Sequence, residues 1–344
     1  MAGRAWQAGE RRMRIFLTHT PEARANYYPD AALEALRGHG TVLLNPEGSP
    51  LPAARLAEMA RGCEVIVADR MAAGDAGLFG MLPDCVAFLR VAVDIRNIDV
   101  AAASRHGVLV GRATPGFVDS VAELAVGMMV ELARGLGAAS AAYRAGEAPP
   151  VRPGRQLAGA ALGIIGYGAI GRRVAALGLA LGMRVLVTDP GQRVEAEGVE
   201  QLGFRALLGA ADFVICLAPA TPETEGLMDA AAFGAMRPGS FFLNLARGEL
   251  VDEAALERAL ESGHLAGAAM DVGRAPDQMP SPFLARRADV VATPHVGGLT
   301  PEAVAHQAFD TVRQVAALAA GQVPPGAVNA AEATRLGRLG IRVG

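Results

Sequence analysis

The sequence predicts an α/β protein of two parallel-sheet units, the second inserted into the first. Three observations carry this. Short β-rich runs alternate with longer Ala- and Leu-rich runs along the chain. A Gly-rich turn, GYGAIG at 166–171, follows one such β-rich run and opens a helical one. A long helical run at 120–147 separates one alternating series from another. Strands that alternate with helices pair in parallel, because a helix-length crossover returns the chain to the same end of the sheet.

In the first series, MRIFLTH, TVLLN, CEVIVAD, VAFLRVAV and GVLVGR read as strands. Between them PDAALEALRGHG and PAARLAEMARG read as helices closed by Gly. The run SVAELAVGMMVELARGLGAASAAYRAGE keeps helical spacing until Pro149, Pro150 and Pro153 end it. The second series is ALGIIG, MRVLVTD, ADFVICLA, GSFFLNLA, HLAGAAMD and DVVATPH. A last helix, about 301–320, follows Thr300-Pro301, an N-cap and first-turn pair. The expected domains are 12–113 with 300–330, and 114–299, with hinges near 113–119 and 297–301. Residues 1–11 and 331–344 read as flexible tails.

Composition narrows the classes. The 344 residues suit two domains of roughly 100–200 residues each, and 51% are apolar, enough for a large core. No window reaches the roughly 18 apolar residues of a membrane span, so none is expected. Net charge is −3, which gives no electrostatic case for nucleic acid or anionic lipid. Arg4, Arg11, Arg12 and Arg14 flank an apolar run too short for a secretory signal. Cys63, Cys85 and Cys216 are far apart and form no CxxC pair. They read as buried free thiols in a reducing cytoplasm, and no metal site is expected.

The chemistry starts at Gly166, Gly168 and Gly171. They form GxGxxG after a strand, a helix follows, and Asp189 ends the next strand 18 residues past Gly171. Together these make a dinucleotide fingerprint. The glycines permit the tight turn, the approach of a pyrophosphate and close helix packing, and the helix N-terminus offers N–H groups to the anion. Asp189 can accept from both ribose hydroxyls and would repel a 2′-phosphate, so NAD is favoured over NADP. Arg193 lies just beyond and weakens that preference. Arg247 follows a strand and suits a substrate carboxylate bidentately. His295, also at a strand end, is an acid/base candidate flanked by Pro294, Gly297 and Gly298, which allow close approach. Taken singly, Arg247 also fits a surface ion pair and His295 a packed hinge residue.

In combination with GxGxxG, the segments ARG-x-x-V-D-E and TPH-x-G-G resemble the D-isomer-specific 2-hydroxyacid dehydrogenase family. FLRVAVDIRNIDVAAASRHGVLV, SVAELAVGMMVELARG, the TPET of APATPETEGLM and LAGAAMDV extend the match over most of the chain. The resemblance implies a flavodoxin-like substrate domain completed by the C-terminal helix, a Rossmann-like coenzyme domain between, and a homodimer built on the latter. It implies that Arg247 binds the carboxylate and carbonyl oxygen of a 2-oxo acid and that His295 exchanges the proton. Asp271 would contact the nicotinamide carboxamide. Ala169 and Ile170 would sit on the pyrophosphate, Leu217, Ala218 and Pro219 near the adenosine ribose, and Leu245 and Ala246 near the nicotinamide.

Two departures stand out. The family holds the substrate carboxylate with backbone N–H groups in a segment like GVGxDN, and this chain has AVDIRN at 92–97. Val93 and Asp94 therefore line the expected substrate site, and a desolvated Asp94 carboxylate there would repel a substrate carboxylate by several kcal/mol. Either Asp94 points away or the substrate differs at that end. The second departure is in DVGRAPDQMP, 271–280. The family's glutamate, which hydrogen-bonds the histidine, lies five residues after the aspartate, and Pro276 stands there. Asp277 is next, and a one-residue bulge would restore its reach to His295. Two other readings share these motifs: an NAD(H)-binding regulatory protein with little catalysis, and an NADPH-preferring glyoxylate/hydroxypyruvate reductase.

Overall fold

The computed structural model of the chain describes residues 12–342. The chain divides into two compact units, one running to Gly116 and resuming at Pro301, the other Phe117–Thr300. The expected tail 1–11, with Arg4 and Arg11, lies outside the described residues.

The first unit has five parallel strands: β1 (Met13–Leu17), β2 (Gly40–Leu44), β3 (Val65–Ala68), β4 (Ala87–Arg90) and β5 (Leu109–Arg112). Their order is β2-β1-β3-β4-β5, the flavodoxin-like order. Alternate residues serve opposite faces. Ile15, Leu17, Val65, Val67 and Leu89 pack with Leu33, Leu36, Val312, Val315 and Leu318 of the helices Asp30–Arg37 and Pro301–Ala319. Phe16, Ile66, Phe88 and Val110 pack with Leu56, Leu78, Phe79 and Ala103 on the other side. Both faces are covered, which is why these strands read as unbroken apolar runs.

The stretch from 331 is not a loose end. Ala333, Leu336 and Ile341 are buried in the same core as β1 and the helix Pro301–Ala319. Arg335 donates to the carbonyls of Leu82 (2.6 Å) and Cys85 (2.8 Å). Two short 3-10 turns, Ala330–Glu332 and Thr334–Leu339, and the residues flanking them make up this stretch, so its burial follows neither a 3.6- nor a 2-residue period and leaves no pattern in the sequence.

The second unit has seven parallel strands: β6 (Ala161–Ile165), β7 (Arg184–Thr188), β8 (Val199–Gln201), β9 (Phe213–Cys216), β10 (Ser240–Asn244), β11 (Leu265–Met270) and β12 (Val290–Ala292). Their order is β12-β11-β10-β9-β6-β7-β8. The order reverses between β6 and β9, where open α/β sheets take ligands. Strand β8 is absent from the sequence reading: it is a three-residue edge, VEQ, with two exposed positions. The long helical run also needs correction. Gly135 adopts φ 62 and splits it into Val118–Arg134 and Leu136–Arg144, bent by 68°, and the helix stops before the prolines. Among the described residues no single helix is long and apolar enough to cross a membrane. The three cysteines are free and buried, and burial pushes the thiols of Cys85 and Cys216 up to about 12.

Candidate active site

The fingerprint turn sits at the reversal of strand order. Gly166 takes φ 96, and a Cβ there would lie 2.8 Å from the Leu217 carbonyl and the Ala218 nitrogen. Only glycine lets the loops after β6 and β9 meet this closely. A Cβ on Gly171 would lie 2.2 Å from the Gly166 carbonyl oxygen, so the helix Ala169–Ala180 rests on the turn. Gly168 is different: a Cβ there would meet nothing within 4 Å. Gly168 and Ala169 are exposed and Ile170 half-buried, and first-turn amides such as those of Ala169 and Ile170 have no acceptor within their helix. Open space above a helix N-terminus fits a pyrophosphate.

Asp189 is set for a diol. It accepts from the amides of Tyr167 (2.8 Å) and Gly191 (2.8 Å) and from Gln192 Nε2 (2.9 Å). Partial desolvation would raise its pKa, but these bonds and nearby Arg172 outweigh that and hold it below the usual carboxylate value. Arg172 lies over the Tyr167 ring, 5.6 Å from its centroid. Ala218 is buried, Leu217 half-buried and Pro219 exposed along the same rim.

Three neighbouring strands, β10, β11 and β12, supply the remaining candidates at their carboxyl ends. After β10, buried Asn244 shapes the Leu245-Ala246-Arg247 turn: its Oδ1 accepts from Ala246 N (3.1 Å) and its Nδ2 donates to Arg247 O (2.9 Å). Leu245 is buried, while Ala246 and Arg247 are half-buried. After β11, Asp271 is 3% exposed and grips the loop that follows β12. It accepts from Thr293 Oγ1 (2.6 Å), Val296 N (2.8 Å) and Gly297 N (2.9 Å). A Cβ on Gly297 would lie 2.7 Å from Asp271 Oδ2, which explains the glycine; Gly298 rests on Phe117. Asp271 therefore positions the His295 loop whatever else it touches.

His295 is half-buried at φ 54 and meets Asp277 through the main chain: its Nδ1 is 2.9 Å from the Asp277 carbonyl oxygen. A carbonyl only accepts, so Nδ1 carries the proton in this contact, and the proton exchanged with a substrate would be the one on Nε2. Gln278 is a residue the sequence reading passed over. Its Oε1 accepts from Gly248 N (3.3 Å) and its Nε2 donates to Glu249 Oε1 (3.2 Å).

In the first unit, Asp94 pairs with Arg96 inside its own loop, at 2.9 Å to Nη2, and accepts from Arg96 N (3.0 Å). Asp94 and Arg96, two of the three positions where AVDIRN departs from GVGxDN, thus answer each other, and Val93 beside them is half-buried. Arg90 is a second residue missed, fully buried at the end of β4. It donates to the carbonyls of Asp69 and Ala72 and to Asn97 Oδ1 (2.7 Å), so it ties the loop after β3 to the loop after β4. Burial pulls its pKa down to about 10, with Asp69 and Asp94 opposing. An arginine inside FLRVAV was the signal.

Fold and fingerprint define a dinucleotide-binding α/β protein. Comparison with known proteins narrows this. Residues 126–297 match the family described as D-isomer specific 2-hydroxyacid dehydrogenase, NAD binding domain. The chain is 37% identical over 259 residues to D-3-phosphoglycerate dehydrogenase of Mycobacterium leprae, covering 74% of this chain and 49% of that protein. It spans about half the length of the curated relatives it matches. Among solved structures, the TT0316 protein of Thermus thermophilus aligns at TM-score 0.82 and 30% identity, over 92% of this chain and all of that one. A D-isomer specific 2-hydroxyacid dehydrogenase from Polaromonas, described as putative, aligns at TM-score 0.85 and 28% identity, over 93% and 100%. The chain belongs to the D-isomer specific 2-hydroxyacid dehydrogenase family.

Proposed function

We propose that the protein is an NAD(H)-dependent oxidoreductase that interconverts a 2-oxo acid and a D-2-hydroxy acid. One observation carries the reading: three adjacent strand ends hold Arg247, Asp271 and a His295 whose Nδ1 is already bonded. The bound cofactor supplies or accepts the hydride. Arg247 binds the substrate carboxylate and fixes the carbonyl, a fork-to-carboxylate match. His295 Nε2–H donates to the carbonyl oxygen as it becomes a hydroxyl; in the oxidative direction neutral Nε2 takes that proton. Gly166, Gly168, Ala169, Ile170 and Gly171 cradle the pyrophosphate, with Leu217, Ala218 and Pro219 by the adenosine. Leu245, Ala246, Gly297 and Gly298 would line the nicotinamide end, and Asp271, which already accepts three hydrogen bonds, would have one lone pair left for the carboxamide. Asp189 takes the ribose hydroxyls and favours NAD over NADP. Val93 and Asp94 are the first unit's candidates for substrate contact, and Asp94→Gly is expected to raise turnover of glyoxylate or hydroxypyruvate. The helix Leu136–Arg144 buries none of its residues and exposes Leu136 and Tyr143, which suits a homodimer built on this unit. A cytoplasmic setting suits three free thiols.

The test is a panel of 2-oxo acids with NADH and NADPH, plus D-3-phosphoglycerate with NAD, followed at the nicotinamide absorbance. Turnover is expected with NADH. His295→Asn and Arg247→Ala should each lower kcat/KM by roughly 10²–10⁴-fold. Tight NADH binding with no turnover across the panel would sink the enzymatic reading and favour a regulatory dinucleotide-binding protein.

A further inference from the structure

The loop Val272–Met279 closes on itself: Gly273 N donates to Gln278 O (2.8 Å) and Ala275 N to Met279 O (3.0 Å). Among the described residues, three that are not glycine adopt positive φ: Asp277 (58°), Gln278 (59°) and His295 (54°). Such backbone persists only where surrounding contacts hold it, and here two of the three, His295 and Asp277, share a hydrogen bond from Nδ1 to the carbonyl oxygen, with Gln278 next in the chain. Several contacts hold the loop. Arg274 donates to the carbonyls of Val251 (3.2 Å) and Glu249 (2.9 Å) and to Glu225 (2.8 Å). A Cβ on Gly248 would lie 2.1 Å from Gly273 O, so the two turns touch backbone to backbone. Gln278 bridges them, accepting from Gly248 N and donating to Glu249. It is the neighbour in sequence of the residue that holds His295, and it bonds the neighbour of Arg247.

We infer that Gln278 is a further positioning residue of this site, and that the main-chain carbonyl of Asp277 fixes the imidazole of His295 through Nδ1. The claim rests on the proposed dehydrogenase reading for its catalytic meaning, but its geometry is independent of turnover. Fixing Nδ1–H needs an acceptor at a set place, which the Asp277 carbonyl provides in both charge states of the ring. Gln278 sets that place relative to Arg247.

The experiment reads the ring directly. ¹⁵N NMR of the holoprotein, with His295 assigned by its loss in His295→Asn, is expected to show the neutral ring as Nδ1–H. Asp277→Asn keeps the carbonyl and should keep that tautomer. Gln278→Met removes both side-chain bonds at equal length. It should mix in the Nε2–H tautomer and lower kcat by roughly 10–100-fold, with KM for NADH unchanged. Three results would overturn the inference: a wild-type ring that is mainly Nε2–H, an Asp277→Asn ring that loses Nδ1–H, or a Gln278→Met ring that keeps it. The wild-type tautomer is read on the unaltered loop, with His295→Asn serving only to assign the signal. Because the tautomer is read without substrate, its failure is distinct from a failure to find any 2-oxo acid that is turned over.

Discussion

At the scale of single residues, the informative positions are those where side-chain chemistry is spent on backbone. Asp189 binds two amides and a glutamine amide before any ligand arrives. Asp189→Ala should raise KM for NADH by roughly 10-fold or more and narrow the preference over NADPH, measured as the ratio of kcat/KM for the two cofactors. Residue identity and spacing singled out the glycines and made Arg247 and His295 candidates, whereas Asp271 entered only through the family resemblance. Gln278 and Arg90 escaped because their importance lies in which carbonyls and amides they reach. Asp94 raised the prospect of two carboxylates facing each other, and the structure answers with Arg96 two residues on, a D-x-R pair that the sequence displays but does not orient.

At the scale of elements, period and punctuation were readable, and short or bent pieces were not. Every run read as a strand overlaps one, while VEQ at 199–201 is too short and too polar to show a period. The break at Gly135 was visible only as a glycine inside a helical pattern, and its left-handed φ belongs to the packed structure. Helix starts are also where a local test is clean. Asp252 caps the helix Glu253–Glu261 by accepting from Ala255 N at 3.0 Å. Asp252→Ala should cost about 1 kcal/mol and Asp252→Asn far less, read from the urea midpoints. The same helix carries buried Glu253, which accepts from Arg274 N (3.1 Å) and Ser281 Oγ (2.5 Å), so loss of the cap should also loosen the 273–281 loop.

At the scale of the whole molecule, acid stability has an identifiable source in the first unit. His19 is 2% exposed, and burial pulls its pKa down to about 4, with Asp69 opposing and Arg90 and Arg24 adding. An unfolded chain protonates this histidine near pH 6.5, whereas the folded one resists until about 4. The neutral ring therefore contributes fully above pH 6.5, and about 3 kcal/mol drains away as pH falls from there to 4. His19→Phe should flatten the fall in Tm across that window; an unchanged slope would show that other groups govern it. The insertion of one unit within the other carries a different consequence, one of timing. Tyr28 bonds Thr311, Val110 bonds Asn329, and Leu336 joins the core of β1. A ribosome releases the nucleotide-binding unit whole before any of those late partners exists. The first unit must wait, one face of its sheet half covered, until the chain has been made at least to Leu336.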